Sequence, residues 1–359
     1  MAKKPIVGVT MGDAAGIGPE IILMALKRED VRAAANYVVY GAPEIMARAA
    51  DFVGWKGVIR EASGPDDCTF KDGVLDVIRC RSVSLDECKL GELSAVCGDL
   101  AFESIRRAIA DALAGLIDAT ATAPLNKEAM GMAGHKFPGH TEIYAHFTKT
   151  TEYAMLLMEG KFRVAHVSTH VSLFNAIKAV KKDRVVTVIK LVYEALTGMG
   201  IEKPRIAVAG LNPHAGENGM FGREDIEELV PAVAETASLG AVGPFPPDSV
   251  FSRAAGGAFD AVIAMYHDQG HIPLKMVGFR YCECDTDGPT ISGINVTLGS
   301  PVIRCSVDHG TAFDLAGKGS ADAGSMATAM ITAAGMAAGK LKSKQEQKTG
   351  ATGAQKGKE

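Results

Sequence analysis

A short apolar run, then a turn, then a helical pattern recurs along this chain, and this repetition restricts the fold more than any other feature. The first unit begins at residues 6–9, passes through a glycine-rich loop and opens a helix near Pro19, and residues 37–40 begin a second. A helix with apolar positions at the 3.6-residue period covers residues 100–116, and residues 117–122 form the next strand. Strands that alternate with helices favour parallel βαβ layers. The sequence therefore predicts an α/β fold.

The glycines of the first loop argue against one common nucleotide-binding fold. Gly12, Gly16 and Gly18 do not have the GxGxxG spacing of a Rossmann dinucleotide site. Exposed amides at the start of the following helix could hold an anion, and a tight turn between strand and helix would explain the same glycines equally well. Both interpretations of this loop stay open on sequence alone.

Length, charge and cysteine content exclude several classes of protein. The 359 residues are enough for two domains or one large α/β unit, and the formal net charge of -4 lacks the basic footprint of a nucleic-acid-binding protein. No apolar run reaches the roughly 18 residues that span a bilayer, and the N-terminus has no signal-peptide core. We therefore expect a cytoplasmic protein with no membrane partner. The 7 cysteines, without paired CxxC spacing, indicate reduced thiols rather than a disulfide framework.

Histidines stand at the ends of three predicted strands. His170 and His214 each follow one apolar run, and the run at residues 261–265 ends in His267 and Asp268. In an open α/β sheet, ligands bind at the carboxyl ends of the strands, and a catalytic zinc-type site uses three protein ligands. Because the chain has 9 histidines, three can also fall near strand ends by chance. The spacing leaves a shared metal site and unrelated surface histidines both open.

Other polar side chains accompany these histidines. Asp268 can orient an imidazole or move a proton, and Lys275 can hold a phosphate as a point charge. His140 and Thr141 open a predicted helix, where Thr141 is either the N-cap or, with the free amides beside it, part of a phosphate pocket. Asp248 is the only charge in a proline-rich stretch at residues 243–251, which we predict to be a connector.

A set of motifs in fixed order resembles a known family. The segments MGDAAGIGPE, TAPLNKEA, FPGHTE, STH, NPHAGENGMFG, MYHDQG and VDHGTAFDLAGKG are similar to those of the PdxA family of 4-hydroxythreonine-4-phosphate dehydrogenases, over about residues 4–338. The last segment also resembles the adenine-side loop of isopropylmalate dehydrogenases. Residues 280–292 are longer than the corresponding turn of the family, and Ala14 replaces its usual proline.

The resemblance implies a two-domain, non-Rossmann fold like that of isocitrate and isopropylmalate dehydrogenases, with the active site in the interdomain cleft. The first domain would comprise residues 1–138 and 296–339, the second residues 139–295, and residues 340–359, rich in Lys, Gln and Gly, would form a disordered tail. It also implies a homodimer with a divalent metal ion, Zn, Mg or Co, near the subunit boundary.

The resemblance assigns roles to individual residues. The metal ligands would be His170, His214 and His267. The substrate and phosphate contacts would be His140, Thr141, Lys275, Asn295 and Arg304. The loop that binds NAD or NADP would comprise His309, Gly310, Thr311, Ala312 and Asp314. The candidates for catalysis or proton transfer are Asp268, Asp248 and Lys275.

The implied reaction is a metal-dependent oxidation by NAD(P)+ of a 4-phosphorylated 3-hydroxy C4 acid, followed by decarboxylation of the β-keto acid. We expect 4-phosphooxy-L-threonine as the substrate, in pyridoxal phosphate biosynthesis. The alternatives are 4-phospho-D-threonate or D-erythronate 4-phosphate in sugar-acid catabolism, and an unphosphorylated dihydrodiol carboxylate. A non-catalytic metabolite-binding paralog is a further alternative, of a different class.

Overall fold

The computed structural model describes residues 4–280, 290–291 and 293–355, and within them it has fourteen strands. In chain order these are β1 (Ile6–Thr10), β2 (Asn36–Gly41), β3 (Val58–Ala62), β4 (Val74–Arg79), β5 (Ala119–Thr122), β6 (Ala154–Glu159), β7 (Phe162–His166), β8 (Ile206–Ala209), β9 (Ala241–Phe245), β10 (Ala261–Ala264), β11 (Phe279–Arg280), β12 (Thr290–Ile291), β13 (Ile294–Leu298) and β14 (Arg304–Val307).

The α-helices lie between these strands. In chain order they are α1 (Gly18–Leu26), α2 (Glu29–Ala34), α3 (Pro43–Val53), α4 (Ala95–Leu113), α5 (Lys127–Met132), α6 (His140–Thr148), α7 (Leu173–Ala179), α8 (Lys182–Gly198), α9 (Val230–Thr236), α10 (Pro247–Ala255), α11 (His267–Gly278) and α12 (Gly324–Gln355). Their ends carry the expected chemistry, since Ser94 caps the first turn of α4 and Gly54, with φ of 61°, ends α3.

Twelve of the strands form one sheet in the order β3-β4-β2-β1-β5-β14-β13-β6-β7-β10-β8-β9. Neighbouring strands are parallel, except that β6 and β13 run antiparallel to each other and to their outer neighbours, β7 and β14. Strands such as β10 (AVIA) are buried at every position, as in a sheet with helices on both faces. The predicted α/β class is confirmed.

The glycine-rich loop after β1 is a tight turn. Gly12 has φ of 74°, and a Cβ atom there would lie 2.3 Å from the carbonyl oxygen of Pro124. The amide of Ile17, just before α1, donates to the carbonyl of Thr311 over 3.0 Å. Close packing against the backbone at Pro124 therefore explains the glycine at position 12. The loop also binds the backbone at Thr311 through the Ile17 amide.

Two expectations about local structure differ from the structure. The proline-rich stretch predicted as a connector contains the end of β9 and the helix α10, and Phe245 of this stretch pairs with Ala209 of β8. The tail predicted to be disordered continues α12 as far as Gln355, since its Lys, Gln and Ala residues are good helix formers.

The domain division stays a prediction, since one sheet runs through both halves. Strands β1 to β5 form one side of the sheet and β6 to β10 the other, with β13 and β14 between them. Most of the long segment at residues 280–292 lies outside the described residues, and the short pair β11 and β12 flanks it. Within the described part of the chain, no helix is both long and apolar enough to cross a bilayer.

Candidate active site

A cavity of about 570 Å³ lies where the two sides of the sheet meet. Arg304 of β14 and Asn295 of β13 enter it from the centre of the sheet, and Lys275 enters from α11. The first turn of α6 and the loop after β14 close it on other sides. Elements distant in sequence therefore contribute to one polar cleft.

Arg304 is a buried cation whose hydrogen-bond partners among the described residues are hydroxyl groups. Its guanidinium donates to Oγ1 of Thr297 at 2.9 Å, of Thr122 at 3.2 Å and of Thr141 at 3.4 Å. No carboxylate forms an ion pair with it among the described residues. Burial lowers the pKa of Arg304 to about 10, which still leaves it protonated at neutral pH. Such a charge favours an anionic ligand in the cleft.

The first turn of α6 faces the same cavity. The N-cap position is Gly139, which provides no side-chain cap, so of the two roles left open for Thr141 the structure excludes the N-cap. The Thr141 hydroxyl instead accepts from Arg304. His140 lines the cavity, and burial, then Arg304 and Lys127, hold its pKa well below the usual range, so its imidazole is neutral. Uncapped helix amides beside a buried guanidinium form a site suited to phosphate.

Several buried polar atoms of this cavity lack hydrogen-bond partners among the residues that the structure describes. They are Nε2 of His140, Oδ1 of Asn295, Oδ2 of Asp308 and Nε2 of His309. A buried polar atom without a partner is costly, and most such atoms in native proteins are satisfied. Their grouping in one cleft indicates that a polar ligand completes them.

His170 and His267 come together at the edge of this cleft. Their ring centroids are 5.8 Å apart, and Nδ1 of His267 lies 2.6 Å from a carboxylate oxygen of Asp268. The ring of His271 stacks on His267 at 3.6 Å, and its Nδ1 lies 3.0 Å from the carbonyl of His267. The carboxylate and the stacked ring both restrict the orientation of the His267 imidazole.

His214 lies apart from these two histidines. It is the second residue of a turn, Pro213–Gly219, and has a left-handed φ of 52°. The centroid of its ring lies 6.3 Å from that of Phe221. Within the described chain no three His, Cys, Asp or Glu side chains are grouped so as to hold a metal ion. One chain thus brings two of the three predicted metal ligands together, and imidazoles of this kind suit Zn, Co and similar ions.

The three candidate catalytic residues have different surroundings. Lys275 lines the main cavity together with Asn295. Asp268 is exposed and contacts His267, which suits an orienting carboxylate. Asp248 is exposed in the first turn of α10 and lines neither the main cavity nor the adjoining one around His170 and His267.

The predicted nucleotide loop follows β14 directly. His309 and Gly310 line the cavity, Asp314 is exposed, and Ala312 has a left-handed φ of 42°. Thr311 accepts the amide of Ile17 described above. The loop is thus positioned at the mouth of the cleft, next to the start of α1.

Glu20, which sequence reasoning did not select, fixes the far end of this loop. Its buried carboxylate accepts the amide of Gly317 at 2.6 Å and of Gly319 at 2.8 Å. Thr297, Thr122 and Asp308 were also missed. Strand alternation could have indicated Thr297 and Asp308, since they lie two and four residues from Asn295 and Arg304 respectively.

Comparisons with known proteins agree with this architecture. The family model of the pyridoxal phosphate biosynthetic protein PdxA matches residues 33–333. The D-threonate 4-phosphate dehydrogenase of Cupriavidus necator is 45% identical over 336 residues, which are 93% of this chain and 97% of that protein. The D-threonate 4-phosphate dehydrogenase of Pectobacterium atrosepticum is 46% identical over 325 residues, which are 90% and 96% of the two chains.

A crystal structure of a 4-hydroxythreonine-4-phosphate dehydrogenase from Burkholderia phymatum is similar to this fold. It has a TM-score of 0.79 and 43% identity, and the match covers 93% of this chain and 98% of that one. Fold and cleft together define a non-Rossmann α/β dehydrogenase. The chain belongs to the PdxA family, so the family and enzyme class expected from the motifs are confirmed.

Proposed function

We propose that this protein uses NAD+ or NADP+ to oxidise the 3-hydroxyl of a 4-phosphorylated C4 acid and that the β-keto acid then loses carbon dioxide. The observation that carries the proposal is the buried Arg304, which meets hydroxyls rather than carboxylates at the floor of the cleft. A phosphate dianion would balance its charge and accept the N–H groups at the start of α6. Lys275 and Asn295 would contact the same ligand.

The curated relatives favour one substrate within this class. Two relatives with 45% and 46% identity to this chain are D-threonate 4-phosphate dehydrogenases. We therefore propose 4-phospho-D-threonate as the first candidate substrate. The 4-phosphooxy-L-threonine that the motifs suggested is the second candidate, because the name of the solved relative from Burkholderia phymatum supports it. The two differ by a hydroxyl against an amino group at C2. D-Erythronate 4-phosphate belongs to the first group.

Residues of the cleft fit a divalent metal ion in part. His170, His267 and a His214 from a second copy of the chain would hold Zn, Mg or Co, which when bound would lower the pKa of the substrate hydroxyl. Asp268 orients the His267 imidazole through its 2.6 Å contact. Arg304 and Lys275 hold the phosphate and so fix the distance of the reacting carbon from the nucleotide loop.

The surface around these histidines supports a homodimer. Large apolar side chains stay exposed on the segments that follow His170, His214 and His267. They are Val171, Leu173, Phe174, Ile177, Met220, Phe221, Ile272 and Met276. Exposed large apolar side chains of this kind suit a surface that binds another protein. A second copy would cover it, and would bring His214 of one subunit to His170 and His267 of the other.

The nicotinamide would enter from the loop at residues 309–314, where His309 and Gly310 reach the cavity. Glu20 and the Ile17 amide hold this loop in place, so the ring can lie against the substrate carbon whose hydride it accepts. We infer a cytoplasmic location, since the reduced thiols and the substrate class are those of a cytoplasmic metabolic enzyme.

A substrate panel tests this function. Protein stripped with chelator and reloaded with Zn, Mg or Co is given phosphorylated and unphosphorylated C4 acids with each nicotinamide cofactor. We expect cofactor reduction and carbon dioxide release with the phosphorylated acids alone. Tight binding of these acids without turnover would indicate the non-catalytic paralog, and turnover of a dihydrodiol carboxylate would contradict the phosphate assignment.

A further inference from the structure

Asp308 is a carboxylate of the main cavity to which neither the phosphate site nor the nucleotide loop assigns a role. It directly follows β14, in which alternate residues share a face of the sheet. Arg304, Ser306 and Asp308 are at alternate positions, and all three line the cavity. The segment therefore presents a phosphate-binding cation at one end and a carboxylate at the other.

The pairing of β13 with β14 gives this row its direction. Thr297 pairs with Arg304, and Asn295 pairs with Ser306. Asn295 therefore lies between Arg304 and Asp308 along the direction of β14. At about 3.3 Å per residue, Arg304 and Asp308 are separated by about 13 Å of backbone. A ligand whose phosphate meets Arg304 would therefore pass Asn295 and extend toward Asp308.

The reacting end of the cleft surrounds Asp308. Lys275 and His267 of α11 and the adjacent His309 are the positive or titratable groups that act on its carboxylate. Glu159 of β6 is the neighbouring acid, since a Cβ atom built on Gly293 would lie 3.7 Å from Oδ2 of Asp308 and 3.9 Å from Oε2 of Glu159. Asp308 thus lies within electrostatic range of Lys275 and His267 and directly precedes the nucleotide loop.

A purely structural role does not account for this carboxylate. Oδ2 of Asp308 is shielded from water and has no hydrogen-bond partner among the described residues. Burial, the largest effect, raises the pKa of Asp308 above 3.8, while Lys275, His309 and His267 oppose it. A carboxylate of this kind is a better proton acceptor near neutral pH than an exposed one. Asp268, by contrast, is exposed and engaged with His267.

We propose that Asp308 is the general base that removes the proton of the substrate hydroxyl during oxidation, and this rests on the dehydrogenase function proposed above. The C–H bond of the carbinol carbon breaks, and its electron pair moves as hydride to the nicotinamide. The O–H bond breaks, and its proton binds Oδ2 of Asp308 while the carbonyl forms. The neutral Asp308 releases this proton to water before the next turnover.

The pH dependence of Asp308→Asn tests the proposal. In the native enzyme kcat/KM should fall as the pH decreases through the pKa of Asp308, since the protonated acid cannot accept a proton. The Asn variant should lose about 10²- to 10⁴-fold in kcat and lose this acidic limb. Its KM values for the phosphorylated acid and the nucleotide should stay within a few-fold of native. Asp322→Asn, whose carboxylate accepts the amide of Gly324 outside the cavity, is the matched control and should behave as native.

Chemical rescue distinguishes a general base from a residue that only maintains the structure. Formate should restore part of the rate of Asp308→Ala, because a small carboxylate can occupy the vacated space, and should not restore Asp268→Ala. Asp308→Glu retains a carboxylate and should keep the acidic limb at a reduced rate, which covers the case in which the Asn or Ala protein does not fold.

Three outcomes would overturn the assignment of Asp308. They are near-native turnover by Asp308→Asn, an acidic limb that persists in that variant, and loss of the limb in Asp268→Asn instead. These are distinct from failure of the proposed function, in which the native enzyme itself would not reduce NAD(P)+ with any phosphorylated C4 acid.

Discussion

The guanidinium of Arg304 donates to the hydroxyl of Thr297 over 2.9 Å, directly across the antiparallel pair β13 and β14. The pairing register sets this contact, so one side of the guanidinium is fixed before any ligand binds. The remaining N–H groups have only hydroxyl partners among the described residues. A buried cation prepared in this way selects for an anion.

Replacing this cation should mainly weaken substrate binding. We expect Arg304→Met to raise KM for the phosphorylated substrate by about 100-fold, since one or two charge-assisted hydrogen bonds of about 1.5–3 kcal/mol are lost. Steady-state kinetics measures the change. Arg205→Met, which removes a surface ion pair with Asp260, is the control and should keep a native KM. An unchanged KM in Arg304→Met would place the phosphate elsewhere.

His214→Ala should abolish turnover while the protein stays folded. The side chain lies on an exposed turn, so its removal costs little packing, whereas a metal site with two remaining imidazoles should bind its ion much more weakly. Competition with a chelator measures metal affinity, and circular dichroism checks the fold. His146→Ala, an exposed histidine of α6, is the matched control. A near-native rate in His214→Ala would remove the metal assignment.

Glu20→Gln should raise KM for the nucleotide by about tenfold and change kcat little. The neutral amide loses the charge-assisted bonds to Gly317 and Gly319 that fix the loop, and one such bond contributes about 1.5–3 kcal/mol. KM for NAD(P)+ and for the phosphorylated acid are measured separately. A change in KM for the phosphorylated acid alone would argue against a role of this loop in nucleotide binding. Glu61→Gln, at a surface ion pair, is the control.

Asp13 should make stability depend on pH in the direction opposite to most carboxylates. Burial raises its pKa from 3.8 to about 6, although the Ala15 amide opposes this, so the folded state binds a proton more tightly than the unfolded state. The contribution of Asp13 to stability therefore falls as the pH rises from about 4 to 6.

Urea denaturation of native protein and Asp13→Asn at two pH values measures this contribution. Between pH 5 and pH 7 the native protein should lose about 1 kcal/mol of unfolding free energy relative to the variant. The other titrating groups cancel in the comparison. An equal pH dependence of the two proteins would show that the Asp13 carboxyl keeps an ordinary pKa.

Shortening α12 should separate a tolerated part from a packed one. Removal of residues 343–359 should leave activity and stability unchanged. Extending the deletion to Lys340 should cost about 0.5–1.5 kcal/mol, because Lys340 donates to the carbonyl of Pro301 over 3.0 Å. Thermal melting and turnover of both truncations test this. Lost activity in the shorter deletion would show that the end of the helix has a function.

Local pattern was sufficient for much of the fold. Apolar runs and helical periodicity gave β1, β2 and β5 to within a few residues, because each buried strand requires an apolar run in its own sequence. The role of Thr141, which the sequence left open, and the missed helix α10 have a common cause. Thr141 contacts Arg304, and α10 packs its apolar side chains against strands of the sheet. Both contacts join residues far apart in sequence, and local propensity does not predict them.

The sequence by itself determined the α/β class, the family and the segments that reach the cleft, since these depend on periodicity and on ordered motifs. Only the tertiary structure decided that Thr297 lies opposite Arg304, that Glu20 holds Gly317, and that His214 stays apart from His170 in one chain. Contacts of this kind join residues far apart in sequence, and their geometry is set by strand register and helix packing rather than by any local preference.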